Sequence, residues 1–172
     1  MSKLTVFITH EQINEKVNEL ADKIRQEYRY KNPLLVGALK GSFIFMSDLV
    51  RALDMPLEVD FVSVASYGAG KDSYGKIELR QDLKTPAENR DILLVEDIVD
   101  TGLTLNFLLE KMRMRNPISL KVCCLLDKPS RREVPVHIDY HGFVVPDNFI
   151  VGYGLDFDEK YRYLPDICYL EE

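Results

Sequence analysis

The pattern of apolar and polar positions near the start of the chain predicts an amphipathic helix. Apolar side chains recur there every three or four residues, which is the spacing of one helix face. Upstream of this stripe, Thr9 and Gln12 form a capping-box pattern that marks the start of a helix. The buried face of the predicted helix consists of Ile13, Val17, Leu20, Ala21 and Ile24.

Short apolar runs and helical stripes then alternate along the chain. The pattern predicts a strand over 34–39, a helix over 43–53, and a strand over 57–66 with a partner at 76–83. A second strand and helix follow at 92–95 and 105–112, and the last predicted strands are residues 120–126, 136–140, 149–151 and 167–170. This alternation predicts the α/β class, with a mostly parallel central sheet flanked by helices.

Composition favours a single cytoplasmic domain over residues 1–172. The chain is 46% apolar, enough to fill one sizeable core, and it contains no internal repeat or low-complexity linker. No run approaches the roughly 18 apolar residues of a membrane-spanning helix, and the first residues lack an apolar signal core. Cys123, Cys124 and Cys168 show no paired spacing, so we expect them to be reduced.

The net charge of −6 and the lack of a block of Lys and Arg argue against a nucleic-acid surface. An anionic substrate would therefore have to be attracted locally. Mg²⁺ held by carboxylates and substrate oxygens would bring a polyphosphate into an acidic site.

The turn between a buried strand and the following helix carries the strongest indication of chemistry. Glu96 and Asp97 are expected where the strand ends, at the edge where open α/β sheets bind ligands. Thr101, Gly102 and Thr104 then offer hydroxyl and backbone N–H groups at a helix N-terminus, which favours a phosphate. The segment matches neither the P-loop nor the G-x-G-x-x-G pattern.

An acidic pair beside a phosphate cradle suits a ligand that carries both a phosphate and a diol. Carboxylates accept hydrogen bonds from ribose hydroxyls, directly or through a metal ion. A phosphoribosyl group fits that description. The alternative is that Glu96, Asp97 and Asp100 form a solvated turn after a core strand.

The sequence Val95-Glu-Asp-Ile-Val-Asp-Thr-Gly102 resembles the ribose-phosphate signature of the phosphoribosyltransferases, in the form of the hypoxanthine (6-oxopurine) branch. The resemblance covers roughly residues 5–170 and implies a type I phosphoribosyltransferase-like fold, with a small hood from the terminal regions. The other matching motifs, in the family's order, are Leu39-Lys-Gly-Ser42, Ser66-Tyr-Gly68, Leu126-Asp-Lys128 and Phe149-Ile-Val-Gly-Tyr-Gly-Leu-Asp156.

The activity that the resemblance implies is purine salvage. The 5-phosphoribosyl group of phosphoribosyl pyrophosphate would pass to N9 of hypoxanthine or guanine, giving IMP or GMP and pyrophosphate. Asp100 would be the general acid or base beside N7 of the purine, while Glu96 and Asp97 bind the ribose diol. The cradle of the 5′-phosphate would comprise Asp100, Thr101, Gly102, Leu103 and Thr104.

One position departs from part of the family. Leu103 stands where some relatives have lysine, so a side-chain contact to the phosphate is absent. Backbone N–H groups can still serve, and we expect an effect on affinity rather than loss of function.

The resemblance also implies a pyrophosphate site and a purine site. Lys40, Gly41 and Arg162 would contact the pyrophosphate, with the Leu39–Lys40 peptide bond in the cis form. In the purine site, Lys128 would donate to the 6-oxygen of the base and Phe149 would stack on its ring. The backbone of Ile150 would contact the polar edge of the purine. Asp156 would lie nearby as a metal-linked carboxylate.

Mg²⁺ is the implied cofactor, with Glu96, Asp97 and Asp156 as its candidate ligands. Ser66 and Tyr67 match the start of the family's flexible closing loop. The alternative is an ordinary hairpin connection, which would have a similar sequence pattern. A homodimer or homotetramer is implied as well, without a nucleic-acid or membrane partner.

The histidines His137 and His141 receive no role. On the predicted strand they would share a face about 13 Å apart at ~3.3 Å per residue, too far to share an ion.

Two kinds of alternative remain at this point. One is a transferase that prefers xanthine and guanine, or a pyrimidine, because small changes at the pocket edge decide which base binds. The other is a regulator that senses nucleotides and binds RNA on the same fold, against which the lack of basic runs argues.

Overall fold

The computed structural model describes residues 3–67 and 76–171. In this part of the chain the strands and helices alternate in the order that the sequence pattern indicates. They are β1 (Lys3–Ile8), α1 (His10–Tyr28), β2 (Leu34–Leu39), α2 (Phe43–Leu53), β3 (Glu58–Tyr67), β4 (Lys76–Gln81), β5 (Asp91–Val99), α3 (Leu103–Arg113), β6 (Ser119–Asp127), a short 3₁₀ turn (Pro129–Arg131), β7 (Tyr140–Val144), β8 (Ile150–Val151) and β9 (Ile167–Glu171).

Six of the strands form a central sheet in the order β4-β3-β2-β5-β6-β7. All neighbours are parallel except β3 and β4, which are antiparallel. The predicted α/β class with a mostly parallel sheet is therefore confirmed. Because β2, β5 and β6 are parallel, the turns that follow them lie along one edge of the sheet.

The side chains of β5 alternate between two hydrophobic cores. Leu93 and Val95 belong to the core that is covered by α1 and α2. Ile92 and Leu94 belong to the core on the opposite face, which is covered by α3. This alternation follows from the pleat of the strand, and it places one layer of helices on each face of the sheet.

Helix α1 has the start and the buried face that the sequence predicted. The backbone N–H of Gln12 donates to Thr9 Oγ1 at 3.3 Å, and the backbone N–H of Thr9 donates to Gln12 Oε1 at 2.9 Å. Both bonds of the capping box are therefore present. The predicted stripe is fully buried, and Tyr28 extends it at the last turn.

A second, smaller sheet joins the two ends of the chain. Strand β9 pairs antiparallel with β1 on one side and with β8 on the other. Strand β1 was not predicted from the sequence. Most of its side chains are exposed, so the strand is held by backbone pairing with residues more than 150 positions away, which leaves little local signal.

The prediction of a strand over 136–140 was wrong, since β7 begins only at Tyr140. The preceding residues contact β6 through Asp139. Its carboxylate accepts from the backbone N–H of Val122 at 2.9 Å, and its own backbone N–H donates to Val122 O at 3.0 Å. Val136 and Ile138, whose alternation suggested a strand, pack instead against the core under α3.

None of the helices in the described part of the chain has the length and the hydrophobicity of a membrane-spanning segment.

Candidate active site

Strand β5 is longer than the sequence predicted, and the acidic pair lies inside it. The strand continues to Val99, paired with β6, so Glu96 and Asp97 lie within it and not after its end. Both line one cavity of about 220 Å³, together with the turn of residues 100–102.

Burial dominates the electrostatics of this acidic pair. The pKa of Glu96 is raised well above its usual range by burial and by the nearby charge of Asp97. Burial also raises the pKa of Asp97 to about 6, against the opposing effect of backbone N–H groups and of Arg162. Two carboxyl groups that resist ionisation in this way would be stabilised in their charged form by a cation in the cavity.

Gly41 lies directly against Asp97. A β-carbon at position 41 would sit 1.8 Å from Asp97 Oδ2, so only glycine fits beside this carboxylate. The peptide bond Leu39–Lys40 before it is cis, as the resemblance implied. The hydroxyl of Ser42 is buried and donates to Ala38 O at 2.7 Å, which ties the β2–α2 turn to its strand.

The predicted pyrophosphate residues lie together around a neighbouring cavity of about 370 Å³. Arg162 donates to Gly154 O at 2.8 Å and forms an ion pair of 2.9 Å with Asp156. Lys40 lines the same cavity and forms an ion pair of 2.9 Å with Glu159. Asp156, predicted near the purine and a metal, is thus found beside the cations of this cavity.

The turn before α3 presents free backbone donors. Gly102 has a φ of 86°, and a β-carbon there would lie 2.6 Å from Val134 O, so both its conformation and its packing require glycine. The carbonyl of Thr101 accepts from the backbone N–H groups of Glu133 and Val134. Within residues 3–67 and 76–171, the backbone N–H groups of residues 101, 102 and 104 have no protein acceptor.

Asp100 lies at the end of β5 beside this turn. Its Oδ1 atom is 3.3 Å from Arg131 Nε, an ion pair whose geometry does not amount to a hydrogen bond. The same arginine lies 3.8 Å from Asp147, in the loop that leads to Phe149. Asp100 therefore faces the segment that was predicted to hold the purine.

The predicted purine residues surround the neighbouring end of β6. Lys128 is buried, and its Nζ atom donates to Asn148 O at 2.9 Å. Phe149 is 53% exposed and packs edge-on against Phe157, with ring centroids 5.3 Å apart. Ile150 begins β8 and is buried. The backbone N–H of Lys128 also donates to Val99 O at 2.9 Å, so the ends of β5 and β6 are adjacent.

Comparison with known proteins identifies the family of the chain. Residues 8–158 match the Phosphoribosyl transferase domain family. The chain belongs to this family. It is 48% identical to the hypoxanthine-guanine phosphoribosyltransferase of Bacillus subtilis over 96% of this chain and 92% of that protein. A crystal structure of a hypoxanthine-guanine phosphoribosyltransferase from Bacillus anthracis has a TM-score of 0.92 at 43% identity, with 98% of this chain and 99% of that chain covered.

Some relatives of this phosphoribosyltransferase domain are much longer. The bifunctional protein TilS/HprT of Listeria innocua is 46% identical over 96% of this chain. The chain spans only about a quarter of that protein, 26% of its length.

In this phosphoribosyltransferase domain, Ser66 lies in a strand as the apolar pattern predicted, and Tyr67 extends that strand by one residue. Both residues end strand β3, where Ser66 pairs with Ile77 and Tyr67 pairs with Lys76 of β4. Backbone pairing with β4 therefore extends the strand into the segment that was expected to begin the flexible loop. The rest of the predicted loop, residues 68–75, lies outside the described residues.

The three candidate metal ligands do not form a closed protein site. Among the residues that the structure describes, no group of three or more His, Cys, Asp or Glu side chains is arranged to hold a metal ion. Mg²⁺ commonly uses one or two carboxylates, with the remaining positions filled by water and substrate phosphates. The buried pair Glu96 and Asp97 fits this type of site, whereas Asp156 is engaged by Arg162.

Several residues around the site were not found by sequence reasoning. Arg131 and Arg132 follow the motif that contains Lys128, and their sequence pattern is typical of solvent-exposed charges. Glu159 lies in a charged loop where no spacing distinguishes it from its neighbours. Their contacts depend on segments that meet only in the folded chain, so the sequence contained no local signal for them.

Proposed function

We propose that the protein is a purine-salvage phosphoribosyltransferase that forms IMP from hypoxanthine, and GMP from guanine, with release of pyrophosphate. Phosphoribosyl pyrophosphate is the donor and N9 of the base is the acceptor. The high identity to hypoxanthine-guanine phosphoribosyltransferases over nearly the full length of both chains supports this reaction.

The turn of residues 100–104 is the observation that carries the assignment of the sugar site. Its free backbone N–H groups at the N-terminus of α3 suit a 5′-phosphate, because the helix dipole favours an anion there. On the opposite side of the turn, the carbonyls are occupied by the segment after β6. Asp100 to Thr104 would hold the phosphate, and Glu96 and Asp97 would lie below the ribose.

The base would bind between Asp100 and Lys128. The two side chains project from adjacent strand ends, which Lys128 N–H and Val99 O connect. One ammonium proton of Lys128 is used by Asn148 O, which leaves two for the 6-oxygen of a purine. Adenine has an amino group at that position and cannot accept this bond, so the site would favour 6-oxopurines. Phe149, half exposed above the site, would stack on the ring.

Asp100 would act as the general acid or base. Its carboxylate would take the proton that the purine loses as N9 attacks C1 of the ribose. Lys40 and Arg162 would hold the departing pyrophosphate at the other side of C1. Most of the rate enhancement would come from placing base and sugar in contact and from stabilising the charge that develops at C1.

Mg²⁺ dependence belongs to the same proposal. When bound, Mg²⁺ would neutralise charge on the leaving pyrophosphate. Glu96 and Asp97 would supply the protein oxygens, and burial of the pair supports a cation partner. We also propose a cytoplasmic homo-oligomer; its three cysteines are free and buried, as is usual in a reducing compartment.

The test is a steady-state assay with phosphoribosyl pyrophosphate and Mg²⁺ that offers hypoxanthine, guanine, xanthine, adenine and uracil separately. We expect nucleotide formation with hypoxanthine and guanine, none with adenine or uracil, and loss of turnover with chelator. Preference for xanthine would change the assigned base. Turnover with none of the five bases would refute the enzymatic assignment and favour the nucleotide-sensing alternative.

A further inference from the structure

The segment after β6 donates hydrogen bonds to the backbone carbonyls of the turn that carries Asp100. The carbonyl of Asp100 accepts from Arg132 Nε at 3.0 Å, and the carbonyl of Val99 accepts from Arg132 Nη2 at 3.4 Å. The next carbonyl, that of Thr101, accepts from Glu133 N at 2.8 Å. Three successive carbonyls therefore point toward one segment, and Arg132 supplies the donors for two of them.

Arg132 is itself fixed by a buried partner. Its Nη2 atom donates to Asp127 Oδ1, and the two side chains are only 17% and 10% exposed. The second carboxylate oxygen of Asp127 lies 3.2 Å from His141 Nε2. The carbonyl of Asp127 accepts from Val145 N at 2.8 Å. Contacts with residues of β7 and the segment after it thus fix Asp127 of β6, which in turn binds the guanidinium group of Arg132.

The rigid fork of an arginine suits this arrangement. Its Nε–H and Nη–H donors have a fixed geometry, so one guanidinium can bind a carboxylate and two carbonyls at the same time. Contacts of this kind, made by residues that do not touch the substrate, set the placement of catalytic groups, and small displacements of those groups reduce rates strongly.

We infer that Arg132 is a positioning residue that sets both the carboxylate of Asp100 and the phosphate-binding N–H groups of the turn. The inference rests on the proposed function, since it assigns Asp100 and the turn their roles. Arg132 acts through the backbone carbonyls of Val99 and Asp100, and Asp127 orients its guanidinium group.

The decisive experiment compares Arg132→Gln and Arg132→Lys with wild type, with Arg113→Gln as the matched control. Arg113 is an exposed arginine in the last turn of α3. We expect Arg132→Gln to lower kcat about 10- to 100-fold and to raise the KM for phosphoribosyl pyrophosphate several-fold, with the KM for hypoxanthine within twofold. Arg113→Gln should leave all three constants unchanged.

The variant Arg132→Lys distinguishes a loss of positioning from misfolding. Lysine keeps a cation beside Asp127 but loses the fixed Nε–H donor to Asp100 O, so the variant should fold and still show most of the loss in kcat. In Arg132→Ala, added methylguanidine should restore part of the lost turnover, which a general loss of stability would not allow. Folded Arg132→Lys with wild-type kcat and wild-type KM for phosphoribosyl pyrophosphate would overturn the inference.

Failure of the proposed function would look different. In that case wild type would form no nucleotide from any base. The positioning role is then judged by calorimetric titration with phosphoribosyl pyrophosphate, which should bind several-fold more weakly to Arg132→Lys than to wild type. Equal binding would overturn the inference in that case too.

Discussion

The Nζ atom of Lys40 lies 2.9 Å from Oε1 of Glu159, and the other oxygen of the same carboxylate lies 3.2 Å from Arg162 Nη2. One carboxylate thus bridges the two cations that were assigned to pyrophosphate. These contacts lower the pKa of Glu159, through Lys40 first and then through Arg162. Glu159 has a φ of 60°, and its backbone N–H donates to Asp156 Oδ2 at 2.9 Å.

Because Glu159 occupies these cations, it should compete with pyrophosphate. We expect Glu159→Gln to strengthen product inhibition by pyrophosphate about two- to fivefold, a modest effect because the ion pairs are exposed. The measurement is the inhibition constant of pyrophosphate at fixed hypoxanthine. Asp158→Asn is the control, since Asp158 is also exposed and forms an ion pair with Lys160 nearby. Unchanged or weaker inhibition in Glu159→Gln would show that the bridge does not compete.

Gly41 should not tolerate a side chain. In Gly41→Ala the new methyl group would lie 1.8 Å from Asp97 Oδ2, so either the turn or the carboxylate must move. We expect kcat/KM for phosphoribosyl pyrophosphate to fall at least 100-fold, since displacement by about 1 Å can cost that much. Thermal unfolding separates this effect from misfolding.

Gly142→Ala is not a suitable control for that experiment, because its β-carbon would meet the backbone of Leu125 at 2.1 Å. Ala52→Gly, at a partly buried position of α2, is a better one. It should lower stability by about 1 kcal/mol through helix propensity and leave the kinetic constants unchanged. Wild-type kcat/KM in Gly41→Ala would mean that the turn and Asp97 have room to separate.

The α/β class and the strand-turn-helix units could be predicted because their information is local. The stripe of α1, its capping box and the apolar run of β5 each occupy fewer than twenty consecutive residues, and their period and end signals are physical consequences of helix and strand geometry. The turn at Gly102 was also predicted from local sequence. A positive φ and the close approach of the Val134 carbonyl explain why this position is glycine.

What the sequence could not provide depends on contacts between distant segments. Strand β1 exists through pairing with β9, and Glu159 meets Lys40 across 119 positions. The length of β5 is another example. Glu96 and Asp97 are polar and were placed after the strand, but pairing with β6 continues beyond them to Val99. Tertiary pairing outweighed the local polarity of these two residues.

The acid or base role of Asp100 can be tested by Asp100→Asn. The amide keeps the size of the side chain but cannot accept the purine proton, so kcat should fall by about 10²- to 10⁴-fold. Binding of phosphoribosyl pyrophosphate, measured by calorimetry, should stay within a few-fold because the backbone N–H groups of the turn remain. Asp147→Asn is the control, since Asp147 faces the same Arg131 at 3.8 Å. Wild-type turnover in Asp100→Asn would reject the role.

Lys128 should decide the choice of base. Lys128→Met removes the donor to the 6-oxygen but keeps an unbranched chain in the buried position, so kcat/KM for hypoxanthine should fall about 10- to 100-fold, as expected for a lost charged hydrogen bond. The preference for hypoxanthine over adenine should narrow, while binding of phosphoribosyl pyrophosphate is retained. Lys160→Met, at an exposed position, is the control. An unchanged preference would exclude Lys128 from base recognition.

Asp60 provides a prediction about acid stability that is independent of catalysis. Burial raises the pKa of its carboxyl, but hydrogen bonds from the backbone N–H groups of Thr85, Phe61 and Lys84 outweigh burial and lower the pKa overall. The carboxylate thereby ties the segment after β4 to β3. Asp60→Asn should lower the free energy of unfolding by about 1 kcal/mol at pH 7, a value discounted for solvent screening.

The pH dependence of this difference follows from the direction of the shift. A folded-state pKa below the unfolded value of about 3.9 means that the stabilisation is complete above the unfolded pKa and is lost as the pH falls through the folded pKa. Urea unfolding of wild type and Asp60→Asn should therefore show a constant gap between pH 7 and about 5, and the gap should close below about 4. Asp54→Asn, at an exposed left-handed position after α2, is the control and should leave the free energy of unfolding at pH 7 unchanged. A gap for Asp60→Asn that persists at pH 3 would mean that the carboxylate charge is not what holds the segment after β4.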